Sequence, residues 1–554
     1  MQEMGVSATA VRTDSSHIGR YECSLLDKET FSVTWELVPG RGAFEKTQQA
    51  VIETAERAAK DGKIHALTIT DNPGGNPALS AEMLGVEINR LGIEPLVHLT
   101  CKDKNRNALE SLLYGLERAS IRNLLVMTGD YPKDGGYLGT AKPVFDLDPI
   151  TLLGLISELN NGKEMSTPKG TTVFQPTHFF PGVAASPFKA VEAEQMGQYY
   201  KLRKKLWAGA RFVVSQLGFD IRKFHELLQI VNSLGFGNIP VVGNIYLVTY
   251  GVAKIMHCNA LPGCVVTDKL LSEIKADAAA ADKGKSKRLE RGAKLYALLK
   301  GMGFAGAHIS GPGMTYDDLE YVIEKGEELA LNWPDFMQNF DYPQKDGWYF
   351  FRKDEHTGLN SSAPAARNGN SHSGLLYHAF RAVHHAMFTK RGLFFPPMRS
   401  LCKAIDGSRF EGAFAKFEKV VKGITNDCLH CGDCAMSDIA YLCPQSQCAK
   451  NQRNGPCGGS CGGWCEKYPN ERKCIYVRAY ELLKGHGAED SLGIFQNPPI
   501  YFDLYQTSSW INFYLGRDHA AGPQGIRQVP RSTGAKESKG CCTSKSAKDS
   551  NAAD

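Results

Sequence analysis

Along the first 340 residues, apolar runs of four to eight residues alternate with longer segments whose apolar positions recur at helical spacing. That alternation is the mark of βα units building a parallel sheet. The runs predict strands over 31–37, 65–70, 95–100, 123–128, 172–180, 212–216, 239–246 and 304–309, and the periodic segments predict helices over 44–60, 107–119, 190–208, 220–234, 288–301 and 316–331. Eight strands, each followed by a helical stretch, close most naturally as an α/β (β/α)8 TIM barrel over 25–340, behind an N-terminal extension 1–24. A doubly wound open sheet is the rival, but no G-x-G-x-x-G opens the first helix.

After the barrel the texture changes. A polar stretch, HTGLNSSAPAARNGNSHSG, marks a connector over 341–393, and a smaller cysteine-rich metal-binding domain is expected over 394–519, with helices near 410–421 and 475–484. The Gly, Ser, Lys and Ala-rich tail, 520–554, has too few apolar groups to offset chain entropy and is expected to be disordered. The N-terminus lacks the apolar core of a signal peptide, and no run approaches a membrane span, so a cytoplasmic protein is expected. The net charge of +5 is small for 554 residues and is not gathered into one run, which argues against nucleic-acid binding.

Nine of the sixteen cysteines fall between Cys428 and Cys474, opening with Cys428-x2-Cys431-x2-Cys434 and reaching Cys443 directly before Pro444. So dense a set in a reducing compartment predicts metal rather than disulfides. Three cysteines at two-residue intervals with a Cys-Pro favour a 4Fe-4S cluster on Cys428, Cys431, Cys434 and Cys443, although the usual x3 spacing is missing. Zinc is the alternative, since paired Cys-x2-Cys and two later thiols make a tetrahedral site. Cys448, Cys457, Cys461, Cys465 and Cys474 are left unassigned, able to hold a second metal or lend a ligand. His430 reads as packing beside the cluster, and His378, His384 and His385 as a helix surface.

A barrel places its chemistry at the C-terminal ends of its strands. There the sequence sets Glu36, Thr70-Asp71, His98 and Thr100, Thr128-Gly129-Asp130, Ser215-Gln216, and Asn244 with Tyr246. A carboxyl group unpaired in such a mouth would have a raised pKa, as a general acid requires; the competing role is capping of βα loops. The runs VTWELVPGR (33–41), PLVHLTC (95–101), TGDYP (128–132), AGAR (208–211) and SQLGFD (215–220) resemble methylenetetrahydrofolate reductase in order, spacing and strand position over roughly 25–335.

The resemblance implies a flavin-containing barrel that reduces 5,10-methylenetetrahydrofolate to 5-methyltetrahydrofolate. It makes Glu36 the acid toward folate N10 and Asp130 the carboxylate beside flavin and pterin. Thr70, His98, Thr100 and Gly129 become flavin contacts, Lys205 a reach to the flavin phosphate, and Asp146 a further flavin-site candidate. Gln216 would contact folate and Tyr250 would stack on it. Thr128, Gln198 and Lys201 depart from the family's pattern where the dinucleotide part is held, which leaves FAD and FMN both open. For Lys201, Lys204 and Lys205 a solvated helix face is the competing reading.

The region 394–484 resembles the small cysteine-rich partner subunit of the acetogen-type reductase, through Cys-x2-Cys-Gly-Asp-Cys, Cys443-Pro444 and NGPCGGS (454–460). This implies electron entry from ferredoxin or another donor protein, with NADH the competing donor. The reverse oxidation and a homo-oligomer are both compatible with it. The other functional class is a non-catalytic folate- and flavin-binding component of a larger electron- or methyl-transfer assembly.

Overall fold

The computed structural model describes residues 18–367 and 373–521. Residues 1–17 of the expected extension, 368–372 of the connector, and 522–554 of the expected disordered tail, with Cys541 and Cys542, lie outside them. The chain divides into two compact units, 1–382 with 435–500 and 383–434 with 501–554. No helix among the described residues is long and apolar enough to cross a membrane.

In the first unit eight parallel strands close a barrel in chain order: β1 (Ser32–Leu37), β2 (Ala66–Ile69), β3 (Glu94–Thr100), β4 (Asn123–Met127), β5 (Phe180–Ala185), β6 (Phe212–Ser215), β7 (Val241–Tyr246) and β8 (Gly306–Ser310). β8 returns to β1 with Ser32 opposite Gly306 and Trp35 opposite Ile309. Helices cover the outside, among them α1 (Lys46–Asp61), α2 (Arg106–Arg118), α3 (Glu192–Trp207), α4 (Ile221–Ser233) and α5 (Lys285–Gly301).

The fifth strand departs from expectation. Residues 170–173 instead form an exposed antiparallel hairpin with Glu164–Thr167, and the barrel strand is Phe180–Ala185, whose Pro181 and Gly182 read as turn residues. Gly182 is required by packing: a Cβ there would lie 2.1 Å from the Phe212 ring, which stacks on Phe180. Gly182→Ala is expected to cost about 1–3 kcal/mol of stability, seen as a lower urea midpoint at unchanged slope.

The first described helix belongs to this barrel. The helix Arg20–Leu26 inserts fully buried Tyr21 beneath the strands, edge-on to Phe212 and packed with Leu25, Ala66, Leu96 and Leu125. Residues 435–500 also pack with the barrel, because the helix Ile475–Lys484 carries an apolar face onto α3. Ile475, Tyr476, Ala479 and Tyr480 share a core with Ala193, Met196, Tyr199 and Tyr200. The boundary therefore runs through the segment 394–519 that reads as one domain in the sequence. In α4, Lys223 and Glu226 form a fully enclosed pair at 3.2 Å; Glu226 also accepts from Tyr199 Oη and Phe350 N, and Lys223 donates to the Trp348 carbonyl.

The second unit is small. Cys402, Ile511 and Tyr514 form its core with Phe388, Phe395 and Phe414, and buried Glu418 is held by Lys422, Ser508 and Ser509. The helix Glu411–Asn426 ends at Asp427 in a left-handed conformation, and Cys428, Cys431 and Cys434 follow. Cys443 belongs to the first unit, capping the short helix Pro444–Gln447.

Candidate active site

β1 and β8 are neighbours, and their pairing brings Glu36 and His308 together at the barrel mouth. His308 Nε2 lies 3.3 Å from Glu36 Oε2, while its Nδ1 meets Thr34 Oγ1 at 2.9 Å and Thr68 Oγ1 at 3.3 Å. The His308 side chain is 3% exposed and that of Glu36 21%, so the carboxyl is the member of the pair a ligand can touch. Burial pushes the Glu36 carboxyl up, but the hydrogen bond and charge of His308, with a smaller contribution from His98, hold it below the usual range. Glu36 is thus not the unpaired, raised carboxyl that the sequence suggests: β8 supplies a partner. His308 is not among the sequence candidates; its signal was a histidine two residues before the end of β8.

His98 is enclosed near Glu36 and His308. Burial pushes its imidazole down to about 4, against the opposing charge of Glu36, so it is neutral near pH 7. In the unfolded chain it titrates near 6.5 and takes up its proton first on acidification. Stability is therefore expected to fall as pH drops from about 6.5 toward 4, and this slope should flatten in His98→Gln when urea midpoints are compared across that range.

The remaining candidates divide between open and committed groups. Thr70 Oγ1 and His98 Nε2 are buried without a hydrogen-bond partner. Thr100 Oγ1 donates to Asp71 at 2.6 Å, and Asp71 also accepts from Lys104 at 3.0 Å. Gly129 has φ +85°, and a Cβ on it would come within 2.9 Å of the Lys102 side chain and Thr100 Cβ. Exposed Asp130 accepts from the Gly74 amide at 2.8 Å, joining the loops after β2 and β4. Asp146 gives its oxygens to the Arg106 side chain and amide at the start of α2 (2.7 and 2.9 Å). Gln216 Oε1 accepts from the Leu217 amide, and Tyr250, half-buried, carries Lys254 over its ring.

Lys201, Lys204 and Lys205 on α3 are buried, which excludes the solvated helix face. Lys205 donates to the Ala184 carbonyl at 2.6 Å; burial and the charge of Lys201 push its ammonium down to about 7. Lys201 reaches Gln452 Oε1 at 2.9 Å and the Pro456 carbonyl at 3.0 Å, and Thr128 Oγ1 meets the same Gln452 oxygen at 3.2 Å. Lys189 donates to the carbonyls of Gly458 and Ser460, and Lys450 to that of Gly129 at 3.0 Å. Residues 450–460 therefore lie across the ends of β4 and β5 and along α3.

Residues 22–301, half of the chain, match the model of the family described as methylenetetrahydrofolate reductase. The chain belongs to the methylenetetrahydrofolate reductase family. Residues 408–501 match a second model, described as methylene-tetrahydrofolate reductase C terminal. Among similar proteins, a 5,10-methylenetetrahydrofolate reductase of Pectobacterium carotovorum is 28% identical over 136 residues, covering 24% of this chain and 38% of that protein. That of Salmonella typhimurium is 25% identical over 195 residues, covering 35% and 57%, and methylenetetrahydrofolate reductase 2 of Saccharomyces cerevisiae 23% identical over 188 residues, covering 33% and 28%. The alignments thus span between about a quarter and three fifths of these relatives' own lengths. A solved Clostridium thermocellum protein, titled as binding two copies of 5-methyl-5,6,7,8-tetrahydrofolic acid, superposes with a TM-score of 0.39 at 10% identity, covering 56% of this chain and 99% of that one; nothing is carried across from it.

Methylenetetrahydrofolate reductases bind a flavin, and the mouth of this family member suits one. Thr70 Oγ1, His98 Nε2, Ser186 Oγ and Gln198 Nε2 are buried polar atoms lacking partners, the pattern expected around a ring system with polar edges. A phosphate near Lys205 would compensate its burial.

Proposed function

We propose that the chain interconverts 5,10-methylenetetrahydrofolate and 5-methyltetrahydrofolate. The observation that carries this is Glu36, accessible and paired with His308, at the strand ends of a barrel of this family. Glu36 holds the proton delivered to folate N10, and His308, fixed by Thr34 and Thr68, keeps that proton on the pair. Asp130 and Gln216 orient the pterin, and Tyr250 supports the substrate by stacking. Flavin, when bound, supplies the hydride, with Thr70, His98, Thr100 and Gly129 lining its ring and Lys205 toward its phosphate. Two of the three positions that depart from the dinucleotide pattern, Thr128 and Lys201, bond to the chain's own Gln452 and Pro456, which favours FMN over FAD.

In the same reading the Cys428, Cys431 and Cys434 triplet would hold an iron-sulfur centre, with zinc the alternative, and an iron-sulfur centre there would supply electron entry from a donor protein. Lys422 supports a charged triplet: burial pushes its ammonium down, yet Cys434, Glu418 and Cys428 raise it overall.

Anaerobically purified protein should turn over methylenetetrahydrofolate with a reduced viologen dye. A protein that binds flavin and folate but shows no turnover would overturn the reading in favour of a non-catalytic binding component.

A further inference from the structure

We propose that Cys448, Cys457, Cys465 and Cys474 form a metal centre of their own within the barrel unit, built to hold a 4Fe-4S cluster. All four line one pocket, and none is in a disulfide. They lie at near-even intervals of x8, x7 and x8, so no Cys-x2-Cys announces them. The fold gathers them. An antiparallel bridge between Trp464 and Lys473 sets Cys465 N on the Arg472 carbonyl at 2.9 Å and Cys474 N on the Gly463 carbonyl at 2.9 Å. Cys474 then caps the helix Ile475–Lys484.

Three observations favour a cluster. Backbone amides point at the sulfurs: Lys450 and Gln452 toward Cys448, Gly459 toward Cys457, Tyr476 and Val477 toward Cys474. Amides so placed stabilise thiolate and tune cluster potential. Next, a thiolate-bound cluster is an anion, and buried Lys450 and Lys201 both act on Cys457, with Lys450 paired to Glu466 at 2.7 Å. Last, the spacing is too wide for zinc. Tetrahedral Zn–S bonds of about 2.3 Å hold sulfurs about 3.8 Å apart. Among the described residues the one set of three ligand atoms all within 4.8 Å is Asp433, Asp518 and His519, so no three of these thiols are that close. A cubane, binding each thiolate at a separate iron corner, takes its four sulfurs at a wider tetrahedral spacing.

The centre also adjoins the catalytic end of the barrel. Lys450 links the Gly129 carbonyl after β4 to Glu466, whose Oε2 lies 3.5 Å from Cys457 Sγ. The assignment stands whether or not the protein reduces folate.

Full-length protein purified without oxygen tests it. On brief alkylation, Cys448, Cys457, Cys465 and Cys474 should be shielded and Cys461, exposed and outside the cavity, labelled; after iron removal by chelator and oxidant all five should label. Cys457→Ser and Cys465→Ser should each lose about four irons and four sulfides per chain, while Cys461→Ser loses none. Alkylation of the four in iron-replete protein, unchanged iron in both variants, or stoichiometric zinc lost in their place would overturn the proposal. The alkylation pattern decides the matter in wild-type protein even if the variants do not fold.

Discussion

Replacing Glu36 with glutamine should lower turnover of methylenetetrahydrofolate by about 10²- to 10⁴-fold while leaving flavin content and folding unchanged. The amide keeps the size of the side chain and a hydrogen bond to His308 but has no proton to give to N10. His308 holds the Glu36 carboxyl below its usual range in the substrate-free protein, so the donor is set by the pair rather than by Glu36 alone. His308→Gln, which removes the group that lowers the Glu36 carboxyl, should move the alkaline limb of the pH–rate profile to higher pH, whereas Glu36→Gln should abolish that limb. Dye-linked kcat and kcat/KM measured across pH check both. Full activity in Glu36→Gln would remove the carboxyl from the mechanism.

The largest effect on stability should come from Glu226→Ala. Its carboxylate is 0% exposed and serves Lys223, Tyr199 and the Phe350 amide at once, so its loss leaves a buried ammonium with only the Trp348 carbonyl and strips the Tyr199 hydroxyl and the Phe350 amide of their acceptor. Breaking such a pair costs about 3–5 kcal/mol. By contrast Asp317→Ala, which breaks an ion pair with Arg57 whose side chains are 50% and 76% exposed, should change stability by about 1 kcal/mol or less. Urea unfolding of the two variants side by side makes the comparison; similar midpoints would show that the α4 pair is solvated.

The barrel was legible because most of its strands are short apolar runs whose pattern needs no tertiary context. The fifth was not, because its Pro181 and Gly182 are selected by the Phe212 ring, a contact far away in sequence, while Thr171–Val173 carries the β-branched residues of an outlying hairpin. Glu36 and His98 were visible as polar groups closing apolar runs. The environment of Glu36 was not, since β8 becomes its neighbour only on closure. The lysines of α3 misled for a related reason: charge at helical spacing usually faces water, and here residues 450–460 supply carbonyls to it. Local spacing likewise singled out Cys428, Cys431 and Cys434, while the thiols of the barrel unit meet only through folding.

Those lysines bear on what could be excised from this protein. A chain cut at residue 340 would keep every strand of the barrel yet strip Lys189 and Lys201 of the acceptors they hold on residues 452–460. The free barrel would expose a basic stripe and the apolar side of α3, a surface suited to aggregation rather than to an independent enzyme. A piece that keeps the contacts of the barrel unit therefore runs to residue 500.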